Sequence, residues 1–181
     1  MRRTVEFHGH MCPGLAMGIR AAEVALREIG PPAEDEEVVA VVETDMCGVD
    51  AIQFLLGCTF GKGNLVHRDY GKNAYTVFRR SDGKAVRISE RPGSRRPPEP
   101  EPESEEEFFE RQRQRVDRIL TAPIDDLYQV RPVDGEAPRT ARIFASVDCA
   151  ACGEATMETR IRRLDGQELC PPCFEERLSE S

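Results

Sequence analysis

The segment FHGHMCPG near the start of the chain concentrates side chains that could bind a metal or act as nucleophiles. It places His8, His10 and Cys12 at alternate positions, and it holds two of the three histidines in the chain. In an extended segment, alternate residues point to the same side, so two imidazoles and a thiol would share one face. Imidazole nitrogen and thiolate sulfur are typical ligands of zinc and other transition metals. The pattern therefore predicts a metal or thiol site here.

Two further cysteines and one carboxylate are candidates for the same site. Cys47 and Cys58 flank a predicted helix, and a thiol at a helix N-terminus is favoured as thiolate, the form that binds metal. Asp50 could supply an oxygen ligand or orient a ligating histidine. The predicted core site holds zinc or another transition metal, with His8 in or near the ligand sphere. Its predicted ligands are His10, Cys12, Cys47, Asp50 and Cys58.

The strongest signal lies near the C-terminus, where two Cys-x-x-Cys pairs are separated by seventeen residues. Four thiolates from two tight turns form the closed tetrahedral site that structural zinc prefers. A redox dithiol is the weaker interpretation, because such an enzyme needs only one pair. We expect a knuckle, a hairpin and a second knuckle at a helix start, which is the treble-clef order. The predicted zinc ligands are Cys149, Cys152, Cys170 and Cys173.

The glycine-rich stretch GCTFGKGN supports two other interpretations. Its backbone N–H groups could cradle an anion, although the spacing does not match a Walker A loop and nucleotide hydrolysis is not expected. Alternatively, Lys62 could place a positive charge near the thiols and stabilise a thiolate. In that case Cys58 would be a catalytic nucleophile assisted by His8 and Lys62.

The elements that must position these residues can be predicted from hydrophobic periodicity. Apolar residues at three-four spacing predict helices over 14–30 and 49–56, and Gly14 and Gly18 would let another backbone pack close to the first helix. VVAVVET is typical of a buried strand. AYTVFRR and AVRIS predict a hairpin around Asp82-Gly83. Ser104 and Glu107 predict a capping box for a helix to about Leu120, and LYQVRPV and TARIFAS are candidate strands beyond it.

Composition and a proline-rich segment divide the chain into parts. Residues 91–107 are rich in Pro and Glu and are predicted to be a disordered spacer within a core over 1–146, followed by a zinc finger over 147–181. The net charge is −8 and the pI is about 5.1, which makes nucleic-acid binding an unfavourable prediction. The sequence has no membrane-length apolar run and no export-signal pattern, so we expect a cytoplasmic protein whose seven cysteines bind metal or remain reduced.

Three stretches together resemble the FmdE family, which is named for formylmethanofuran dehydrogenase: FHGHMCPGLAMGIRAA, CGVDAIQFLLGCTFGKGNL and DYGKNAYTVFRR. The resemblance covers most of residues 5–90 and continues through APIDDLYQV into the finger. It implies an α+β core with a mixed sheet and packed helices and, in many members, a treble-clef finger. It also implies association with a molybdenum- or tungsten-dependent formylmethanofuran dehydrogenase in methanogenic metabolism, although relatives occur as free-standing proteins elsewhere. The family's motif residues fall on His8, His10, Cys12, Cys47, Asp50, Cys58 and Lys62.

Three functions are compatible with these features. The first is a metal-binding accessory protein that supports a molybdenum or tungsten enzyme. The second is an independent metal- or thiol-dependent enzyme acting on a small C1 or carbonyl compound. The third is a regulatory module whose core senses metal or redox state while the finger docks a partner. A homodimer is the expected assembly.

Overall fold

The computed structural model describes residues 1–94 and 100–179 and divides the chain into two compact units, Met1–Ala141 and Arg142–Ser181. The boundary therefore falls slightly before the predicted division at 146/147. Residues 95–99 of the predicted spacer lie outside the described residues, and residues 105–107 belong to a helix instead. Within the described part of the chain, no helix combines the length and apolar character needed to cross a membrane.

The first unit is built on a five-stranded mixed sheet with the order β2-β1-β3-β4-β5. β1 pairs in parallel with β2, whereas β1–β3, β3–β4 and β4–β5 are antiparallel. The mixed α+β architecture predicted for the core is thus confirmed. The strands are β1 Val38–Val42, β2 Leu65–His67, β3 Ala74–Arg79, β4 Ala85–Glu90 and β5 Tyr128–Pro132.

Both faces of the central strand β1 are covered by apolar side chains, which explains its unbroken valine-rich sequence. Val38, Ala40 and Val42 contribute to the large core beneath the helices. Val39 and Val41 pack on the opposite face in a smaller cluster with Phe78 and Ala85. The helices therefore form one layer on one face of the sheet, and that layer carries the candidate site.

Two helices of this layer bring the candidate ligands together. They are α2, Pro13–Ile29, and α3, Gly48–Leu56, and they pack closely against each other. A Cβ atom added to Gly18 would lie 2.5 Å from the Cα atom of Gly48, so the two backbones are in direct contact. The prediction that Gly18 admits another backbone is confirmed, and the partner is the first turn of α3.

A further helix precedes this pair and was not predicted. α1, Arg2–His8, packs against α3 and ends at Gly9, whose φ of 97° is in the left-handed region. The expectation that residues 8–12 are extended is therefore wrong for His8, which closes a helix. The seven residues of α1 contain too few apolar positions to display a clear helical period.

The remainder of the first unit contains α4, Glu105–Thr121, and the short α5, Ile124–Leu127. Ser104 Oγ caps α4 by accepting a hydrogen bond from the Glu107 N–H at 3.2 Å, as predicted. The predicted strand over residues 140–146 is wrong, because residues 140–145 have no regular structure and Ile143 is fully exposed. Its alternating sequence resembles a strand, but it runs across the boundary between the units and, among the described residues, pairs with no strand of the sheet.

The second unit consists of two small hairpins and a helix. Its elements are β6 Ser146–Asp148, β7 Ala155–Met157, β8 Arg162–Leu164, β9 Gln167–Leu169 and α6 Pro171–Ser179. The first Cys-x-x-Cys pair lies in the turn between β6 and β7, and the second lies at the junction of β9 and α6. This is the knuckle, hairpin and helix-start order expected from the sequence.

Candidate metal centres

Cys12 occupies the N-cap of α2, where the extended backbone turns into the helix. Its sulfur accepts a hydrogen bond from the Leu15 N–H at 3.3 Å, which satisfies one of the free donors at the helix start. Pro13 follows at the first helical position, where a missing N–H carries no cost. The local sequence Cys-Pro-Gly therefore fixes the thiol at the end of the helix nearest α3.

Cys47 occupies the corresponding N-cap position of α3. The absence of a side chain at Gly14 makes room for it, because a Cβ atom there would lie 3.1 Å from the Cys47 Cβ and 3.6 Å from its sulfur. Burial, followed by the neighbouring Cys12 thiol, raises the pKa of Cys47. Two thiols packed this closely without a positive charge disfavour thiolate, and a bound divalent cation would remove that penalty.

His8 completes the group from the C-terminal end of α1. Its Nδ1 lies 2.6 Å from Asp50 Oδ2, on the first turn of α3, and its Nε2 lies 3.9 Å from the Cys12 sulfur. A carboxylate that accepts a hydrogen bond from Nδ1 fixes the tautomer in which Nε2 carries the lone pair. Asp50 therefore acts through His8 and orients its free nitrogen toward the thiols.

The potential ligand atoms of His8, Cys12 and Cys47 all lie within 4.8 Å of one another, and each residue is half-buried. Zinc–sulfur and zinc–nitrogen distances are about 2.3 and 2.0 Å, so a small contraction would complete a ligand sphere around one ion. Two thiolates and one imidazole suit zinc or a similarly soft transition metal. Three protein ligands leave one tetrahedral position for water, a substrate or a ligand from a partner.

The structure places His10 beside this group and not within it. The His10 and His8 ring centroids are 4.8 Å apart with the planes tilted by 34°, and His10 is exposed to solvent. The potential ligand atoms that converge belong to His8, Cys12 and Cys47, so His8 replaces His10 as the histidine ligand. The difference arises because α1 directs His8 inward, whereas the residues after Gly9 turn toward solvent.

The structure also corrects the proposed role of Cys58. Cys47 and Cys58 lie at opposite ends of α3, whose nine residues span roughly 13 Å, so one ion cannot bind both thiols. The Cys58 side chain is fully buried and donates to the backbone carbonyls of Val38 and Leu56 at 3.5 and 3.8 Å. Burial raises its pKa to about 12, which outweighs the opposing charge of Lys62. Cys58 is therefore a core thiol and neither a metal ligand nor a nucleophile.

Lys62 and the loop that carries it are used to fold the chain. The Lys62 ammonium donates to the carbonyls of Ala33, Glu34 and Asp35 at 3.5, 3.4 and 3.0 Å. The N–H groups of three loop residues are also paired within the loop, which corrects the anion-cradle interpretation. These are the N–H groups of Thr59, Lys62 and Gly63.

One positioning residue was missed by the sequence interpretation. The hydroxyl of Tyr75 lies where a side chain on Gly48 would begin, and it donates to Asn73 Oδ1 at 2.8 Å. Tyr75 is nearly fully buried, so it fixes the start of α3 from the sheet beneath. The glycine directly after Cys47 was the available signal, but only the strand register shows which residue needs the space.

The second group is the tetrathiolate of the C-terminal unit. The sulfur atoms of Cys149, Cys152, Cys170 and Cys173 lie within 4.8 Å of one another, and Cys152 and Cys170 are 3.8 Å apart. Backbone N–H groups, of Cys152 first and then of Cys170, lower the pKa of Cys149 to about 6. The N–H groups of the knuckle thus favour the thiolate form that a metal requires.

An α+β core with a His/Cys group, followed by a tetrathiolate unit, defines a two-site metal-binding class of protein. A family model described as FmdE, molybdenum formylmethanofuran dehydrogenase operon, matches residues 7–129. A second model, described as a prokaryotic DksA/TraR C4-type zinc finger, matches residues 142–177. The chain therefore belongs to the FmdE family and carries a C4-type zinc finger.

Two known proteins extend this similarity beyond the family motifs. The crystal structure of an FmdE-like protein of the tungsten formylmethanofuran dehydrogenase type, from Syntrophus aciditrophicus, matches with a TM-score of 0.66 and 25% identity. The match covers 97% of this chain and 90% of that one. A probable S-adenosyl-L-methionine-binding protein from Archaeoglobus fulgidus is 32% identical over 94% of this chain. The chain spans only about half of that relative, 51% of its length.

Proposed function

We propose that this chain is a metal-binding accessory protein whose core holds one exchangeable transition-metal ion. His8 Nε2 and the sulfurs of Cys12 and Cys47 would bind the ion, and Asp50 would orient His8. The convergence of these three ligand atoms within 4.8 Å carries the proposal. Zinc or a related ion bound there would act as a Lewis acid or a transferable cargo at its fourth position.

The asymmetry between the two groups supports an exchangeable ion in the core. The tetrathiolate can saturate zinc with protein ligands alone, as structural sites do. The core group supplies three ligands, and an incoming ligand can reach the fourth position without first displacing a protein side chain. We infer that this property serves a partner enzyme, and the operon and enzyme named for the family and its crystallographic relative favour a molybdenum- or tungsten-dependent formylmethanofuran dehydrogenase.

The experiment that tests the core site is metal quantification on protein purified without oxygen. We expect two equivalents in the wild-type chain and one after Cys12→Ser, with unchanged far-UV circular dichroism. Cys58→Ser is the matched control, because it removes another thiol of the same unit and should leave two equivalents. One equivalent in the wild-type protein, located in the finger, would eliminate the core site.

The accessory role needs a separate measurement. The wild-type chain and Cys47→Ser would each be mixed with the candidate molybdenum or tungsten enzyme lacking its metal, and enzyme activity and complex formation would be followed. Activation that requires Cys47 supports the proposal. Turnover of a small carbonyl substrate by the isolated chain would instead favour an independent enzyme. Light scattering in the same preparation tests the proposed homodimer.

A second candidate function is binding of S-adenosyl-L-methionine, which the description of the archaeal relative favours. The first unit contains a cavity of about 340 Å³, and cavities that bind small molecules start at about 300 Å³. Lys72 and Glu90 are among its lining residues, and they would complement the carboxylate and the ammonium of the methionine group.

Equilibrium dialysis with labelled S-adenosyl-L-methionine tests this second function. Saturable binding that weakens in Lys72→Met supports it. Lys84→Met is the matched control, because Lys84 is an exposed lysine outside the residues that line the cavity. Binding that is absent, or equal in the two variants, would remove this candidate and leave the metal site unaffected.

A further inference from the structure

We propose that Cys12 and Cys47 form a reversible disulfide that empties the core metal site. This inference rests on the proposed function, because it describes the regulation of the same three-ligand group. Oxidation would remove two of the three ligands at once and leave His8 alone, which cannot retain the ion. The core site would then bind metal only while the two thiols are reduced.

The positions of the two sulfurs carry the inference. They lie within 4.8 Å of each other, and a disulfide bond is about 2.05 Å long, so bonding requires an approach of no more than about 3 Å. Each cysteine is an N-cap residue with a loop on its N-terminal side, so the backbone can supply this movement without distorting a helix. Gly14 leaves the space between the two side chains open.

Access to solvent distinguishes this pair from the third thiol of the unit. Cys12 and Cys47 are half-buried, so a small oxidant can reach them, whereas Cys58 is fully buried and hydrogen-bonded to two carbonyls. Susceptibility of cysteine to oxidation follows thiolate character and exposure. The expected modification is therefore confined to the pair that would bind the metal.

The chemistry balances with hydrogen peroxide as the oxidant. The Cys12 thiolate attacks one peroxide oxygen, the O–O bond breaks, and hydroxide leaves as Cys12 becomes a sulfenic acid. The Cys47 thiolate then attacks the Cys12 sulfur, an S–S bond forms, the S–O bond breaks, and a second hydroxide leaves. Two electrons pass from the two thiolates to peroxide, and the two hydroxides take protons from solvent to become water.

The test uses the full chain purified without oxygen, with its metal content measured before oxidation. Peroxide is added, the free thiols are alkylated under denaturing conditions, and the peptides are mapped by mass spectrometry. We expect a Cys12–Cys47 linked peptide, a loss of two from the seven free thiols, and the loss of one metal equivalent. Reduction followed by added zinc should restore the equivalent, and Cys58→Ser should behave like the wild type.

The outcomes separate this proposal from the function on which it rests. A core metal that is present before oxidation and retained after it overturns the disulfide proposal alone. Oxidation of Cys12 to a sulfinic acid without a linked peptide does the same. Absence of the core metal before oxidation overturns both proposals. Because the wild-type chain is mapped directly, the result does not depend on whether Cys47→Ser folds.

Discussion

The two metal centres bring thiols together to the same degree but reach that arrangement in opposite ways. In each group the potential ligand atoms lie within 4.8 Å of one another. In the first unit they come from the end of α1 and the starts of α2 and α3, and His8 and its partner Asp50 are 42 residues apart. In the second unit all four come from two Cys-x-x-Cys turns.

The apolar material around the two sites differs even more. The first unit has a large core of buried aliphatic residues beneath α2 and α3. The buried cluster of the second unit consists of Cys149, Leu169 and Cys170, so two of its three members are candidate zinc ligands. A unit of this size cannot bury enough surface to fold alone, and metal binding must supply the difference. The finger therefore depends on its metal to fold, whereas the core folds first and then presents a site.

Removal of metal should show the largest difference between the units. Structural zinc contributes about 10–16 kcal/mol to the folding of zinc-finger peptides, so chelation should unfold residues 142–181 and leave residues 1–141 folded. Two-dimensional amide NMR and limited proteolysis would follow both units in one sample. Cys170→Ser should reproduce the effect, while Cys12→Ser should leave both units folded. A finger that stays protease-resistant after chelation would refute this division.

The next largest effect is expected where α2 and α3 touch. In Gly18→Ala the added Cβ would meet Gly48 backbone atoms that cannot rotate away, and overpacking of this kind costs about 1–3 kcal/mol. The helices must separate, so unfolding in urea should begin earlier and the core metal should bind more weakly. Gly61→Ala is the control, because a Cβ atom there meets no atom within 4 Å. Equal metal affinity in the two variants would show that this contact does not set the site.

The stability of the core without metal can be probed through the ion pair of Glu43 and Arg87. Arg87 donates to both carboxylate oxygens of Glu43, and this hydrogen bonding lowers the pKa of Glu43 despite its burial. The pair therefore stabilises the fold above the unfolded carboxyl pKa of about 4.3, and the contribution is lost as pH falls through the lower folded pKa.

Replacement of Glu43 by Gln should cost about 2 kcal/mol at neutral pH, since hydrogen bonds to charged groups are worth about 1.5–3 kcal/mol. The difference from the wild type should shrink in acid, because the wild-type carboxylate is then protonated as well. Urea unfolding of the first unit across this pH range gives the measurement. Glu101→Gln, at an exposed residue, is the control. A pH-independent difference would show that the ion pair is not the source of the stability.

A smaller effect, confined to the metal, is expected from Asp50→Asn. Loss of the carboxylate that orients a ligating histidine typically reduces metal affinity by about 10–100-fold. Competition with a chromophoric chelator would measure it, and thermal unfolding should change little. Asp45→Asn makes the same charge change at an exposed residue of the loop that precedes α3, and its affinity should match the wild type. If the two variants bind equally, His8 is not held by Asp50 in the metal-bound state.

The smallest effect should follow Cys58→Ser. The serine hydroxyl can donate to the Val38 carbonyl as the thiol does, so we expect a stability change of about 1 kcal/mol or less and no change in either metal affinity. Isothermal titration of the metal-free core would provide the test. Loss of the core ion in this variant would return Cys58 to the ligand sphere and contradict the separation along α3.

The finger illustrates how much of the function could be predicted. Its ligands are separated by two residues within each pair, and a tight turn brings such neighbours together whatever the rest of the chain does. The core ligands could be proposed as a set, but the set was too large. His10 and Cys58 have the same chemistry as His8 and Cys47, and only the path of α1 and the length of α3 separate them.

The sequence by itself determined the residue chemistry, the main helices and strands of the core, and the tetrathiolate, because these depend on neighbouring residues and on periodic burial. Tertiary structure alone decided which thiols meet the imidazole. Gly18 rests on the Gly48 backbone, Tyr75 fills the space beside Gly48, and His8 reaches Asp50. These contacts join residues far apart in the chain, and their geometry arises only when the helices pack on the sheet.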